Sequence, residues 1–454
     1  MKQLSIAITL LAFAIVFAAV LPRAKQAFST PVAAATSPEA PVAPSGGQAD
    51  STVVSDEKLG PDGALDAPWE DGDATSIPLN PKDPSFNAWK QMRDFSKDKR
   101  EPGLINVQRF EGQAPWVGIP TFFHKPIALT PEDLKVGKVE VAIMGAELVG
   151  DQRARTWGPT EMRNPRTSEV YHNWGDWTVE DIHSGVNYLQ EQVVCDYGDA
   201  PQEPFSLDRT SVEVRRMVRE IAATELEGGK HTIPIVIGGG HALMYPDVAG
   251  VVDVYGKGNV GVVHFDAHAD YAGVAFGHLL SHAIPVRKLI MEGLVPGKNF
   301  IQVGLRGPNS IDMDGIRWAR SQGMRCHTMA EVEKRGWDAV LEDAIKEAKD
   351  GPEYLFISFD IDVLDPVYAP GTSTPEPAGM TIHDALRIVR RLCAETNVVG
   401  IEMVELRPDS DPGYITMLNC NAVLRQCLNG LAMRKKGHDS PHYLDPLTVD
   451  DGQE

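Results

Sequence analysis

The middle of the chain alternates between short, almost wholly apolar runs and longer segments whose apolar positions recur every three or four residues. The runs are Val139-Glu-Val-Ala-Ile-Met-Gly145, Thr232-Ile-Pro-Ile-Val-Ile-Gly238, Val260-Gly-Val-Val-His-Phe265, Asn299-Phe-Ile-Gln-Val-Gly304, Tyr354-Leu-Phe-Ile-Ser-Phe359 and Asn397-Val-Val-Gly-Ile-Glu402. Runs this short, and apolar at successive positions, read as strands buried on both faces of a sheet. Between them, residues 208–227 place Val212, Val214, Met217, Val218, Ile221 and Ala222 near helical spacing. Residues 381–395 do the same with Leu386, Ile388, Val389 and Leu392, and another helix is predicted near Ala242. Strands alternating with helices predict an α/β fold, a three-layer α-β-α arrangement around a mainly parallel central sheet.

The ends of the chain follow a different pattern. After Lys2 the chain is apolar from Leu4 to Pro22, broken only by Ser5 and Thr9, and small residues Ala33, Ala34 and Ala35 follow. Residues 1–35 therefore read as an export signal, or, because Arg23 and Lys25 follow the run directly, as an uncleaved membrane anchor. Residues 36–85 are rich in Ala, Pro, Ser and acidic residues, too polar to bury a core, and read as a flexible linker. The predicted folded domain spans 86–434, and 435–454 form a polar, acidic tail.

Charge narrows the partners. Lys and Arg number 43 against 63 Asp and Glu, a net charge of −20. Such an excess argues against a nucleic-acid partner, which requires clustered positive charge, and is compatible with a small cationic substrate. The five cysteines show no C-x-x-C spacing, so neither a zinc knuckle nor a disulfide framework is signalled.

Three of the predicted strands end abruptly in residues that bind metals. Val260–Phe265 runs into Asp266, His268 and Asp270; the 232–238 run into Gly239-Gly-His241; and Tyr354–Phe359 into Asp360-Ile-Asp362. Sites in open parallel sheets form at the carboxyl ends of strands, and alternate residues of an extended segment share a face. Four carboxylates and two imidazoles buried together are costly unless cations compensate them. One divalent ion would leave excess negative charge and two would balance it. These hard O/N ligands favour manganese or a similar first-row ion over thiolate-held zinc, with nickel as an alternative. A pair of divalent ions lowers the pKa of water and supplies hydroxide at neutral pH, which points to hydrolysis.

The blocks Gly239-Gly-His241, His264-Phe-Asp-Ala-His-Ala-Asp270 and Ser358-Phe-Asp-Ile-Asp-Val-Leu-Asp-Pro366 resemble the signature blocks of the ureohydrolase superfamily (arginase, agmatinase and relatives). They match in order and spacing, and Pro366-Val-Tyr-Ala-Pro-Gly-Thr-Ser-Thr-Pro-Glu376 extends the third; the likeness covers roughly residues 116–430. Gly118-Ile-Pro-Thr-Phe-Phe123 and Asp196-Tyr-Gly-Asp199 are more similar to agmatinases than to arginases. The resemblance implies one Mn2+ held by His241, Asp266, Asp270 and Asp360, and a second held by Asp266, His268, Asp360 and Asp362. It implies that His282, in Ser281-His-Ala-Ile-Pro-Val286, carries a proton to the leaving amine. Glu405, in Gly400-Ile-Glu-Met-Val-Glu-Leu-Arg-Pro408, would pair with the guanidinium, with Glu402 as fallback, and Asp270 would help stabilise the tetrahedral intermediate. It further implies a guanidino substrate, agmatine by default with a guanidino acid or guanidine as alternatives, release of urea, and a trimer or hexamer. A non-catalytic metal-binding member of the fold is the competing reading.

Some residues depart from the family pattern or carry no role. Gly240 stands where relatives have Asp, removing a carboxylate next to His241, and Tyr271 follows Asp270 where arginases place Asn, which counts against arginine as substrate. The 145–158 loop, with Arg153 and Arg155, replaces the usual agmatinase loop at the pocket mouth. Gly256-Lys-Gly-Asn-Val-Gly261 matches a dinucleotide fingerprint but precedes a strand instead of opening a helix, so it is rejected as one. Trp157, Trp174 and Trp177 are expected in the core or at a subunit contact, and His124, His172, His183, His278 and His438 have no pattern of partners.

Overall fold

The computed structural model describes residues 95, 98–110, 117–147, 157–164, 180–181, 183–203, 206–275, 277–307 and 313–441. The N-terminal signal or anchor, the linker, most of the acidic tail, Arg153, Arg155, His172, Trp174 and Trp177 lie outside these residues. Among the described residues, no helix is long and apolar enough to cross a membrane.

Eight strands form one sheet: β1 (Val141–Ala146), β2 (Val194–Asp199), β3 (Ile233–Gly238), β4 (Val260–Phe265), β5 (Phe300–Leu305), β6 (Arg325–Thr328), β7 (Tyr354–Asp360) and β8 (Val398–Val404). Their order is β2-β1-β3-β8-β7-β4-β5-β6, and every pairing is parallel. Alternate side chains divide the core in two. Val141, Ile143, Val263, Phe265, Ile357 and Phe359 pack on one face with residues of the helices Trp337–Lys349, Ile382–Glu395 and Ile415–Lys435. Ala142, Met144, Val260, Val262 and Phe356 pack on the other with the helices Leu207–Ala222, Met244–Tyr255 and Pro285–Met291. This is the predicted three-layer architecture.

The strands β1, β3, β4, β5, β7 and β8 match the apolar runs, whereas β2 and β6 were not anticipated. Both are the sheet's edges. An edge strand has one neighbour and less need of a continuous apolar run; β2 reads Val-Cys-Asp-Tyr-Gly-Asp and β6 Arg-Cys-His-Thr. The predicted 208–227 helix ends earlier, at Ala222, and Thr381 caps the helix Ile382–Glu395 by accepting from the Asp384 N–H. Gly256 at φ 91° and Gly258 at φ 79° form the turn between a helix ending at Tyr255 and β4, which already includes Gly261. Trp157 is 53% exposed, which removes the core option for it.

Candidate metal centre

Four adjacent central strands, β3, β8, β7 and β4, deliver the site. The register explains why two carboxylates meet. Phe265 on β4 lies opposite Phe359 on β7, so Asp266 and Asp360, the next residues, leave the sheet at the same level. Gly304 on neighbouring β5 keeps Asp266 in place: at φ 107°, a Cβ there would lie 3.0 Å from the Asp266 carbonyl oxygen and 2.5 Å from Val363.

His241 opens the turn after β3. Its Nδ1 lies 2.9 Å from Asp266 Oδ2, 3.1 Å from Asp270 Oδ2 and 3.0 Å from Asp360 Oδ2. His268 Nδ1 lies 2.9 Å from Asp362 Oδ2 and 3.4 Å from Asp266 Oδ1. Asp266 therefore faces both imidazoles, one with each oxygen. All six predicted ligands converge.

Electrostatics show what the cluster requires. Burial alone would lower the pKa of His241, but the carboxylates of Asp266, Asp270 and Asp360 outweigh it and hold the imidazole well above its ordinary value. Burial likewise opposes charging of His268, yet Asp266 and Asp362 raise its pKa to about 12. Burial pushes Asp360 well up and Asp362 up to about 7, aided in both by neighbouring carboxylates. Burial would raise Asp266 too, but hydrogen bonds from His241, His264 and His268 hold it well below the usual range. The carboxylates thus call for positive charge at the two imidazoles. Divalent cations would supply the same positive charge, and the hard O/N donor set suits them. Asp266 belongs both to a compact donor group with His241 and His264 and to one with His268 and Asp362.

His264 has another use for its nitrogens. Nδ1 faces the Gln302 amide at 3.0 Å, so Nε2 carries the proton and donates to Asp266 Oδ2 at 2.8 Å. It belongs to a buried polar row running across the sheet beneath the ligands: Gln302 on β5, His264 on β4, Ser358 on β7 and Glu402 on β8 are register neighbours. Ser358 Oγ sits 3.0 Å from His241 Nε2, and Glu402 Oε1 is 3.8 Å from the same nitrogen. Behind Glu402 lies Asp247; burial, then each other's charge, raises the Asp247 pKa, and burial raises that of Glu402. The sequence reading missed this row. Its signal was a polar residue two positions before a ligand inside an otherwise apolar strand. Glu402 is thereby excluded as the substrate's partner, because it faces the back of His241.

Glu405 takes the other position. It follows β8 in the left-handed region at φ 60°, as Asp270 does after β4 at φ 52°. Strain of this kind in a non-glycine residue concentrates at functional sites. The Glu405 N–H donates to the Gly239 carbonyl at 2.7 Å, and Oε1 accepts the His241 N–H at 2.7 Å. Glu405, Asp270, Asp360, His241, His268 and the exposed His282 all line one cavity of about 670 Å³. Gly240 caps the His241 turn at φ −74°, ψ 158°, a conformation open to any residue. Arg306 braces the far side, its guanidinium donating to the carbonyls of Asp362, Val363, Leu364 and Glu376.

Comparison with known proteins agrees with this geometry. Residues 139–429 match the Arginase family. The chain belongs to the arginase family. All three ligand blocks fall within the matched span. The human mitochondrial guanidino acid hydrolase is 32% identical over 311 residues, 67% of this chain and 81% of that protein. The mitochondrial agmatinase of Gallus gallus is 30% identical over 309 residues, 67% of this chain and 84% of that protein. Among solved structures, the proclavaminate amidino hydrolase of Streptomyces clavuligerus superposes with a TM-score of 0.60 at 26% identity, covering 70% of this chain and 99% of that one. This arginase-family member is a hydrolase whose relatives act on differing guanidino compounds.

Proposed function

We propose that the chain hydrolyses the guanidino group of a small alkylguanidine, releasing urea and an amine. One observation carries the reading: six O/N donors from three strand ends converge around the shared Asp266, beneath a cavity that Glu405 and His282 also line. His241, Asp266, Asp270 and Asp360 would hold one divalent ion, and Asp266, His268, Asp360 and Asp362 the second, with manganese expected and nickel the alternative. When bound, such a pair supplies a hydroxide-like nucleophile at neutral pH.

The protein's own groups do the rest. Glu405 orients the guanidinium: its Oε1 is fixed by the His241 N–H, so its carboxylate plane is set before substrate arrives. A planar cation and a planar carboxylate pair through two parallel hydrogen bonds. Asp270, within 3.1 Å of His241, adds negative charge where the central carbon gains a fourth heteroatom substituent and its nitrogens become basic. His282, exposed in the cavity wall, hands a proton to the departing amine, since an imidazole ring can both take up and give a proton. The same reading includes export or membrane tethering through residues 1–35 and assembly into a trimer or hexamer.

The test is urea release by the full chain loaded with Mn2+, and separately with Ni2+, across agmatine, 3-guanidinopropionate, 4-guanidinobutyrate, arginine and guanidine. Urea from at least one compound is expected; none from any, with metal bound, refutes the reading in favour of a non-catalytic metal-binding protein.

A further inference from the structure

Strand β5 brings no ligand to the cluster, yet it holds the segment that carries three of them. Beyond Phe265 the chain leaves β4 and presents Asp266, His268 and Asp270 in close succession. The end of β5 follows it: the Asp266 N–H donates to the Val303 carbonyl at 3.1 Å, and the Arg306 N–H to the Ala267 carbonyl at 2.9 Å. A third hold comes from a side chain. Gln302, fully buried on β5, donates from Nε2 to the Ala269 carbonyl at 2.8 Å, between His268 and Asp270. A carbonyl only accepts, so the NH2 end of the amide must face the segment. The other end agrees, because the thiol of Cys326, the register neighbour on β6, lies 3.5 Å from Oε1. The same NH2 meets His264 Nδ1 at 3.0 Å, and His264 passes the hold on. Its Nε2 donates at 2.8 Å to Asp266 Oδ2, the oxygen that also faces His241.

We infer that Gln302 is a positioning residue of the metal centre, its two amide hydrogens fixing the ligand segment at Ala269 and, through His264, at Asp266. The inference rests on the reading of the six donors as ligands to two ions, and adds to it a residue outside the cavity. An amide is the group this position needs. The Ala269 oxygen and His264 Nδ1 both accept, so two hydrogens must be supplied from one side chain; Glu offers at most one and Met none. The consequence for the ions runs through Asp266, whose two oxygens face His241 and His268. A carboxylate left free to rotate must be ordered when an ion binds, at a cost in affinity. The hydrogen bond from His264 orders it beforehand, and Gln302 holds the His264 ring in the orientation that gives this bond.

The test is calorimetric titration of the metal-free full chain with Mn2+, for the wild type, Gln302→Met, His264→Phe and the double variant, with the metal-free melting temperature of each. Gln302→Met keeps the length of the side chain and removes both hydrogens, so it should weaken Mn2+ binding by about 10- to 100-fold. His264→Phe should weaken it comparably. The double variant should lose less than the product of the two single losses, because both residues act on Asp266 along one chain of hydrogen bonds. Gln302→Glu is the second variant, equal in size and with at most one hydrogen to give, and its loss should be about tenfold or more. A purely structural role would instead lower the metal-free melting temperature and leave the Mn2+ affinity of the folded protein unchanged. Wild-type affinity for two Mn2+ in Gln302→Met or Gln302→Glu overturns the inference, and so do losses that multiply in the double variant. A wild-type chain that binds neither Mn2+ nor Ni2+ would refute the two-ion reading itself, and this inference with it.

Discussion

Asp266→Asn tests the two-ion arrangement at its hinge. Asp266 Oδ2 faces His241 at 2.9 Å and Oδ1 faces His268 at 3.4 Å, so one carboxylate serves both halves of the cluster. An amide presents one oxygen and one NH2; whichever way it turns, one half gains a donor where a cation needs an acceptor. Both ions should be weakened, not one. The magnitude follows from linkage. An ion at 100 times its dissociation constant stabilises the folded state by about 2.7 kcal/mol, so two independent sites contribute roughly 5 kcal/mol. In a domain of this size each kcal/mol moves the midpoint by about 1–2 °C. The wild type should therefore melt roughly 5–10 °C higher with Mn2+ than after chelation. Asp266→Asn should show little of that difference, and elemental analysis should find less than one ion per chain. The assay is thermal unfolding with and without chelator, alongside metal content by mass spectrometry and urea release. A variant that holds two ions at full occupancy would refute the shared role of Asp266.

Two further predictions separate neighbouring functions. Glu405→Gln keeps an oxygen to accept the His241 N–H but loses the charge that faces the guanidinium, so metal content should persist while kcat/KM falls about 100-fold or more; equal loss of metal would mean that Glu405 only shapes the His241 turn. Away from the site, His327 lies 3.1 Å from Glu331 and 3.3 Å from Glu347; burial would lower its pKa, but these carboxylates outweigh it and raise it. A raised folded-state value means that its contribution is complete below the unfolded pKa of about 6.5 and is lost as pH rises through the folded value. His327→Gln should thus cost about 1 kcal/mol at pH 6 and much less at pH 9, read as melting-point gaps that close with pH; a gap that stays constant would show that packing, not the ion pairs, accounts for the loss.

How much of this was legible in the sequence depended on where burial forces a pattern. The inner strands are covered on both faces, so their apolar runs mark them unmistakably, whereas β2 and β6 at the edges escape that constraint and were missed. The candidate ligands were legible for a related reason. Asp266, His268 and Asp270 are costly residues at the end of a buried strand, and cost without compensation is itself a signal. The supporting row was not read, although its residues are equally buried: His264, Ser358 and Glu402 lie inside the strands, where one polar residue in an apolar run looks like an exception. Only the register, which aligns His264 with Ser358 and Ser358 with Glu402, turns three exceptions into one layer behind His241 and Asp266.

The same distinction separates chemistry from specificity in this molecule. The candidate ligands are placed by strand ends, where parallel pairing sets Asp266 beside Asp360 whatever the surrounding loops do. The cavity wall above them is built by helices and loops beyond the sheet, where Arg287 reaches its position through Tyr271 and Trp318 and not through any strand register. No periodicity in the sequence foreshadows such a contact, because Tyr271 and Trp318 are separated by 47 residues. Loops tolerate change better than the strands they join, so a wall of this kind can be rebuilt for another substrate while the cluster below keeps its geometry. That is the physical reason why likeness in the ligand blocks identifies the hydrolase and does not identify its substrate.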